Sequence, residues 1–195
     1  MRTVPIGTSR LTLLQADITH LGHPVGAIVN AANEQLLPGG GVCGAIHAAA
    51  GPGLEIECRW IGHVDTGKAV ATEAGNLNAD YVIHAVRPVW LGGGRDEDRL
   101  LASAYRSSLT IAEERGCTSI AFPSISTGIF GYPVDRAATV AIGTITAYLR
   151  RGSLLEQVTV VLFSPDDYAV YDGAVDRWQR TQAERAQAGQ RPPMP

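Results

Sequence analysis

Short apolar runs alternate along the chain with longer segments in which apolar side chains recur every three or four positions. The runs are typical of buried strands, and 158–163 has the pattern of a strand covered on both faces. The longer segments are typical of amphipathic helices, and Pro133 suits the start of one because the first helical residue needs no N–H partner. The predicted strands are 11–15, 27–30, 81–86, 120–123 and 158–163, and the predicted helices are 44–50, 54–61, 101–112, 133–148 and 166–187.

This order of elements predicts the fold class α/β. Strands that alternate with helices form a sheet with helices on both faces, so we expect a three-layer α/β/α domain with a central mixed sheet of about six strands. The 195 residues fit one domain, which we predict to span residues 1–180. Residues 181–195 combine the end of a polar helix with a proline-rich tail that we expect to be disordered.

Composition narrows the classes of ligand and the location. The formal net charge is −3, so the chain lacks the basic field that binds the phosphates of DNA or RNA. No apolar run is long enough to cross a membrane, and the first residues lack the apolar stretch of a secretory signal. The 3 cysteines show no paired spacing and are expected to be reduced thiols. We therefore predict a cytoplasmic protein, expected to be a monomer, that contacts neither membranes nor polymeric nucleic acid.

The segment from Val29 to Gly44 carries the most chemical information. Between a predicted strand and a predicted helix stands the run Gly39-Gly40-Gly41, and consecutive glycines cost backbone entropy unless the backbone must approach something closely. The helix that follows presents unpaired N–H groups and the positive end of its dipole, which bind phosphate. The alternative is an ordinary connecting turn, in which glycine is also common.

Gly39, Gly41 and Gly44 also satisfy the dinucleotide fingerprint G-x-G-x-x-G. In that motif the glycine turn leaves its strand at once, whereas here the segment 31–38 intervenes. Asp65 stands near the distance expected for the ribose-binding acid, but it lies in a polar turn instead of at a strand end. We therefore interpret the match as accidental and keep a nicotinamide-dependent enzyme only as a distant alternative.

A second glycine-containing turn, 123–133, follows the predicted strand at 120–123. Its successive amides, hydroxyls and glycines are suited to form an anion-binding nest. Ligands of open α/β sheets bind beyond the carboxyl ends of the strands. Because both glycine turns follow strands, we expect them to face one crevice, and two anion-binding loops in one crevice suit a diphosphate.

Four separated stretches of the chain resemble the macrodomain family, most closely its MacroD-type branch. They occur in the family's order and are 16–19 (ADIT), 29–33 (VNAAN), 39–47 (GGGVCGAIH) and 126–133 (STGIFGYP). Supporting similarity extends over about residues 11–175. The resemblance implies a macrodomain fold and a pocket for ADP-ribose.

The matching positions imply a place for each part of ADP-ribose. Asp17, with Ile18 beside it, corresponds to the acid that binds the adenine amino group, although an aspartate here is by itself more typical of a turn or cap. Phe163 corresponds to the aromatic residue that packs on adenine, with a buried strand position as the alternative. Asn33 corresponds to the residue that holds the proximal ribose, which is the ribose that carries the ester. The other implied ligand-binding residues are Asn30; Gly40, Gly41, Val42 and Cys43 of the first loop; and Ser126, Thr127, Gly128, Ile129 and Phe130 of the second.

The resemblance also implies that Asn33, His47, Gly128 and Phe130 take part in catalysis. A single histidine on a helix is as often structural, which is the alternative for His47. Cys43 departs from the family pattern, which frequently has an aspartate that positions or activates water, and a thiol is a poor general base. Three interpretations stay open: the ligand's phosphate orients the water instead, the chain is a binder with weak catalysis, or the thiol itself takes a catalytic role.

The preferred hypothesis is hydrolysis of an ester at the proximal ribose, in mono-ADP-ribosylated glutamate or aspartate side chains or in O-acetyl-ADP-ribose. The alternatives are a non-catalytic ADP-ribose reader and a phosphatase acting on ADP-ribose-1''-phosphate. The expected partners are ADP-ribose and ADP-ribosylated proteins. We predict no cofactor and no metal ion, since Cys43 and His47 alone supply too few ligands for a zinc site.

Overall fold

A seven-stranded sheet in the order β1-β2-β7-β6-β3-β5-β4 organises the computed structural model, which describes residues 1–189. The strands are β1 (Arg2–Ile6), β2 (Ser9–Gln15), β3 (Val25–Ala32), β4 (Ala69–Glu73), β5 (Ala79–Val86), β6 (Ser119–Pro123) and β7 (Gln157–Leu162). The helices are α1 (Val42–Ala50), α2 (Pro52–Ile61), α3 (Glu97–Glu114), α4 (Val134–Leu149) and α5 (Pro165–Gly189), and a short 3-10 helix, Ile18–His20, follows β2.

The five inner strands run parallel, and the two edge strands run antiparallel to their neighbours. β2 pairs with β7, β7 with β6, β6 with β3, and β3 with β5, all in parallel register. β1 pairs with β2 and β4 with β5 in antiparallel register. Because parallel strands end at the same edge of a sheet, the segments that follow the inner strands become neighbours there.

Side chains of the inner strands alternate between two layers of helices. On β3, Ala27, Val29 and Ala31 pack in the core with α3, α4 and α5, whereas Ile28 and Ala32 pack in the core with α1 and α2. Strands buried on both faces read as continuous apolar runs, which is why the sequence pattern showed them clearly. The predicted three-layer α/β/α architecture is confirmed, with seven strands in place of about six.

Both strands that the sequence pattern did not predict are edge strands. β1 contains Pro5, and a proline within an apolar run argues against a central strand, although an edge strand accepts it. β4 pairs on one side only and ends at the exposed Glu73, so its apolar pattern is short and interrupted. Edge strands bury less side-chain surface than central ones, and their periodicity is correspondingly weak.

The polar helix predicted at 166–187 is α5, which extends as one helix to Gly189. Residues 181–189 therefore continue the helix, and the tail predicted to be disordered lies, from residue 190 onward, outside the described residues. Within residues 1–189, none of the helices combines the length and the apolar composition that a membrane span requires.

Replacing Phe122 with alanine should lower the free energy of unfolding by about 3–5 kcal/mol. Phe122 is fully buried on β6, and its ring packs on Tyr105 with centroids 5.0 Å apart, so truncation leaves a cavity between the sheet and α3. Urea unfolding measures the difference. Phe163→Ala is the matched control because Phe163 is exposed, and it should change the free energy by less than about 0.5 kcal/mol. Equal losses in the two variants would contradict this assignment of the core.

Candidate functional site

A cleft of about 490 Å³ opens at the carboxyl edge of the sheet. The segments that follow β2, β6 and β7 meet the start of α1 there. Its lining residues are Ala16, Asp17, Ile18, Gly41, Val42, Ala45, Pro123, Ser124, Thr127, Gly128, Val161, Phe163 and Asp167. The structure thus brings the Asp17 segment and the two glycine loops into one crevice, although they are far apart in sequence.

Asp17 and Phe163 form one end of this cleft. Asp17 caps the short 3-10 helix, and its Oδ1 accepts the Thr19 N–H at 2.9 Å and the Thr19 hydroxyl at 2.7 Å. These hydrogen bonds hold the pKa of Asp17 below its usual value, so the side chain is a carboxylate that only accepts hydrogen bonds. Phe163 is 80% exposed and lies just beyond β7, which rules out the core-strand interpretation. This end offers an aromatic face beside an ionised acceptor.

The first glycine loop crosses the start of α1 at close range. A Cβ on Gly44 would lie 2.3 Å from the Gly39 carbonyl oxygen, so a larger residue cannot be accommodated without moving the backbone. Gly41 has φ 64° and ψ −141°, a conformation that residues with a Cβ rarely adopt. No side chain caps α1, which leaves the N–H groups of its first turn available to an anion.

The second glycine loop, 124–132, is fixed by its own hydrogen bonds. The Thr127 hydroxyl donates to the Ser124 hydroxyl at 2.8 Å, and the Tyr132 N–H donates to the Ser126 carbonyl at 3.1 Å. Ser126 has φ 71°, and its buried hydroxyl has no hydrogen-bond partner among the described residues. A strained residue that is held in place by its surroundings is typical of ligand-binding loops.

The two loops touch where Ile129 lies over Gly40. A Cβ on Gly40 would come within 2.4 Å of the Ile129 Cδ1, so this contact needs glycine or a displaced isoleucine. Beyond the contact lies a second cavity of about 490 Å³, called here the ribose cavity after the prediction for Asn33 and Phe130. Its lining residues are Asn33, Glu34, Gln35, Thr66, Arg87, Pro88, Val89, Leu91, Arg95, Glu97, Leu100 and Phe130.

Asn33 and Phe130 lie in the ribose cavity with an arginine that the sequence analysis did not single out. The Asn33 Nδ2 donates to the Leu37 carbonyl at 2.7 Å, and its Oδ1 accepts the Leu37 N–H at 3.1 Å. Phe130 packs against Arg87, whose guanidinium carbon lies 3.7 Å from the centre of the ring. The available signal was a charged residue directly after the apolar run 81–86, because residues that follow parallel strands face the binding edge.

Asn30, Cys43 and His47 lie beneath the first loop and do not line either cavity. Asn30 stands opposite His84 in the β3–β5 pairing, and its Nδ2 donates to the His84 Nδ1 at 3.1 Å and to the Cys43 Sγ at 3.6 Å. Because this histidine nitrogen accepts, the other carries the hydrogen and donates to the Thr72 hydroxyl at 3.0 Å. The group is a buried polar network that connects the sheet to α1.

His47, Cys58 and His84 each place one ligand-type atom within 4.8 Å of the others. Burial lowers the pKa of His84 to about 3 and raises the pKa of the Cys58 thiol to about 11. Burial also lowers the pKa of His47, whose ring nitrogens have no hydrogen-bond partner among the described residues. In the structure described, the Cys58 thiol is therefore protonated and both His84 nitrogens are hydrogen-bonded within the protein, so the group is electrically neutral.

The residues predicted from the sequence therefore occupy distinct places. Asp17, Ile18, Gly41, Val42, Thr127, Gly128 and Phe163 line the cleft; Gly40 and Ile129 form the contact between the loops; Asn33 and Phe130 line the ribose cavity; Ser126 is buried within the second loop; and Asn30, Cys43 and His47 lie beneath the first. The individual roles implied by the resemblance stay predictions.

Comparison with known proteins agrees with this geometry. Residues 29–141 match the family model described as Macro domain. The chain is 51% identical over 168 residues to the O-acetyl-ADP-ribose deacetylase of Salmonella gallinarum, which covers 84% of this chain and 93% of the relative. Its structure is similar to the Oceanobacillus iheyensis macrodomain with ADP, with a TM-score of 0.87 and 37% identity over 92% of this chain and 97% of that one. It is also similar to the Trypanosoma brucei macrodomain in complex with ADP-ribose, with a TM-score of 0.78 and 39% identity over 85% of this chain and 68% of that one.

Replacing His84 with glutamine should flatten the pH dependence of stability in weakly acidic solution. The pKa of His84 falls from 6.5 to about 3 on folding, so between these values the unfolded chain binds more protons and acidification destabilises the fold. In the wild-type chain this histidine should remove up to about 1.4 kcal/mol of unfolding free energy for each pH unit below its unfolded pKa. Urea unfolding at a series of pH values measures the slope. His23→Gln, at an exposed histidine that makes no side-chain hydrogen bond among the described residues, is the control and should keep the wild-type slope, whereas an unchanged slope in His84→Gln would contradict the buried neutral histidine.

Proposed function

The chain belongs to the macrodomain family, and from that premise we propose that it binds ADP-ribose and hydrolyses carboxylic esters at the proximal ribose. The observation that carries the proposal is the succession of cleft, loop contact and ribose cavity along one edge of the sheet. ADP-ribose has a matching order of parts, with adenosine, diphosphate and ribose. The relatives described above, an O-acetyl-ADP-ribose deacetylase and macrodomains with ADP or ADP-ribose, support the same assignment.

The Asp17 end of the cleft suits adenine. The Oδ1 of Asp17 is engaged by Thr19, while its Oδ2 has only a contact at 3.3 Å with the exposed His20. This oxygen is therefore available to accept a hydrogen bond from an exocyclic amino group. The exposed ring of Phe163 lies on the same cleft and provides a face on which a base can stack.

The two glycine loops suit the diphosphate. The uncapped first turn of α1 offers backbone N–H groups, and the second loop approaches it through the contact of Ile129 with Gly40. Backbone donors bind phosphate without lysine or arginine, which agrees with the acidic net charge of the chain. The diphosphate would thus hold the proximal ribose at the entrance of the ribose cavity.

Orientation of water is the main catalytic contribution that we assign to this site. Glu97 accepts backbone N–H bonds from Leu91, Gly93 and Arg95, so its carboxylate is already occupied. The Cys43 thiol is buried and donates to the Leu37 carbonyl, so it does not supply a base to the cavity. The Asn33 amide is bonded to Leu37 but keeps a second N–H and a second oxygen lone pair. We therefore assign the holding of water against the ester to the ligand's own phosphate and the Asn33 amide, and such positioning lowers the barrier through orientation.

The same observations favour a second candidate, a reader that binds ADP-ribose without turning it over. Glu34, the other carboxylate of the ribose cavity, is oriented by the Thr66 hydroxyl, which donates to its Oε1 at 2.8 Å, while its Oε2 has no hydrogen-bond partner among the described residues. A site with complete binding loops and a cysteine in place of the family's aspartate would retain ADP-ribosylated proteins instead of releasing them. Mono-ADP-ribosylated glutamate or aspartate and O-acetyl-ADP-ribose are the candidate ligands under both proposals.

Replacing Gly128 with glutamate should weaken ADP-ribose binding by roughly a hundredfold or more, because a carboxylate beside a diphosphate costs several kcal/mol. A Cβ on Gly128 would meet nothing within 4 Å, so the variant should fold normally. Gly22→Glu is the matched control, since Gly22 is exposed, has the same open surroundings and does not line the cleft. Calorimetry measures both affinities, and parallel titrations with NAD test the nicotinamide alternative. Equal affinities in the two variants would place the diphosphate elsewhere.

Wild-type protein should hydrolyse O-acetyl-ADP-ribose or glutamate-linked mono-ADP-ribosylated protein in a time course followed by product analysis. Asn33→Ala should slow hydrolysis by roughly ten- to a hundredfold, because the water loses an orienting group. Gln35→Ala, at an exposed amide of the same cavity, is the control and should be unaffected. ADP-ribose binding without turnover of either substrate would leave the reader, and a large gain in turnover by Cys43→Asp at constant affinity would support it.

A further inference from the structure

Arg87 is a buried arginine without an ionic partner. It follows β5 directly, is only 9% exposed, and its Nε has no hydrogen-bond partner among residues 1–189. Within that part of the chain it belongs to none of the salt bridges. Burial lowers the pKa of Arg87, which reflects the free energy needed to hold a cation away from water. A buried charge of this kind ordinarily has a counter-charge.

The acidic side chains that share its cavity do not fill this role. Glu97 is occupied by three backbone N–H groups, and Glu34 is held by Thr66. The ring of Phe130 attracts the guanidinium through its π-face, but this contact leaves the N–H donors in the plane of the guanidinium unused. The guanidinium is therefore stacked on Phe130 and largely buried, and its N–H donors stay available to a ligand.

The surrounding backbone holds this stack in place. The Arg87 N–H donates to the Ala32 carbonyl at 3.2 Å, and Ala32 directly precedes Asn33. The Trp90 N–H donates to the Phe130 carbonyl at 3.1 Å and ties the segment after β5 to the second glycine loop. Arg87 thus has a fixed position in the cavity that also contains Asn33, on the far side of the loop contact from Asp17.

Ester hydrolysis and the alternative substrate ADP-ribose-1''-phosphate would each bring an oxyanion to the proximal ribose. In ester hydrolysis, the acyl–oxygen bond and an O–H bond of water break, and the products are a carboxylate, a ribose hydroxyl and a proton. A terminal phosphate carries its charge from the start. The adenine and diphosphate subsites have their own donors and acceptors, so the charge of Arg87 is not required for them.

We propose that Arg87, stacked on Phe130, forms an oxyanion subsite for the acyl oxygen that becomes negatively charged during ester hydrolysis, or for a phosphate attached to the proximal ribose. The proposal rests on the proposed function, since it assumes that ADP-ribose occupies the cleft. A guanidinium can bind two oxygens of a phosphate or a carboxylate at once, and a largely buried cation binds them more strongly than an exposed one. The subsite would discriminate ligands by the charge at the far end of ADP-ribose.

The first arm of the test uses calorimetry with ADP, ADP-ribose and ADP-ribose-1''-phosphate on wild type, Arg87→Gln and Arg106→Gln. Arg106 is the matched control because it is an exposed arginine that lines neither the cleft nor the ribose cavity. We expect wild type and Arg106→Gln to bind the phosphorylated ligand roughly ten- to a hundredfold more tightly than ADP-ribose. Arg87→Gln should bind both with about equal affinity. ADP, which lacks the proximal ribose, reports whether each variant keeps an intact cleft.

The second arm measures kcat and KM for O-acetyl-ADP-ribose. A fall in kcat/KM of roughly tenfold or more in Arg87→Gln but not in Arg106→Gln assigns the subsite to the acyl oxygen of the ester. Loss of the phosphate preference alone assigns it to the terminal phosphate. If Arg87→Gln fails to bind ADP, Arg87→Lys replaces it, because lysine keeps the charge and lacks the planar donor pair, and it should lose most of the preference.

The outcomes separate this proposal from the one on which it rests. Failure of wild type to bind ADP-ribose would contradict the proposed function itself. Binding of ADP-ribose with no preference for the phosphorylated ligand, together with unchanged ester kinetics in Arg87→Gln, would overturn the subsite and leave the function intact. A preference that survives in both Arg87→Gln and Arg87→Lys would also overturn it.

Discussion

Parallel pairing of the five inner strands is the constraint on which the rest of this structure depends. It places the ends of β2, β7, β6, β3 and β5 at one edge of the sheet, so segments from distant parts of the chain meet there. It also requires crossover connections, which cover both faces with helices and bury the strands. Within the first glycine loop, Gly44 allows a close approach of the Gly39 carbonyl, and where the two loops touch, Gly40 leaves room for the Ile129 side chain. A Cβ at either glycine would prevent these contacts, which shape the cleft.

Polar groups are buried in two different ways near the site: one group of residues supports the site, and the other is available to its chemistry. Asn30 and His84 face each other across β3 and β5, and their neutral hydrogen bonds continue to Thr72 and the sulfur of Cys43. That network connects α1 to the sheet and pairs the Asn30 Nδ2 and both His84 nitrogens, while the Asn30 Oδ1 has no hydrogen-bond partner among the described residues. Arg87 is instead a buried cation that its surroundings leave unpaired, at the end of the cavity where ester chemistry is proposed. The hydrogen-bonded network holds α1 against the sheet, whereas the unpaired charge of Arg87 indicates a binding site for a ligand.

The inner part of the fold was predictable because burial on two faces produces an unmistakable apolar pattern. All five parallel strands and the five helices overlap the predicted segments, and the alternation of strands with helices indicated the layers correctly. The sequence pattern did not predict β1 and β4, because each pairs on one side only and exposes part of its surface. Their antiparallel direction follows from short connections to the next strand, β2 after β1 and β5 after β4.

For the site, the sequence by itself determined the order of the binding segments and the two glycine loops, because glycine reports a local demand of the backbone. Only the tertiary structure decided that Phe163 is exposed on the cleft, that His47 is buried beneath the loop, and that Arg87 stacks on Phe130. Periodicity reveals that a run is buried but not which distant side chain will stand opposite. That choice is made by strand register, which here pairs Asn30 with a residue 54 positions away.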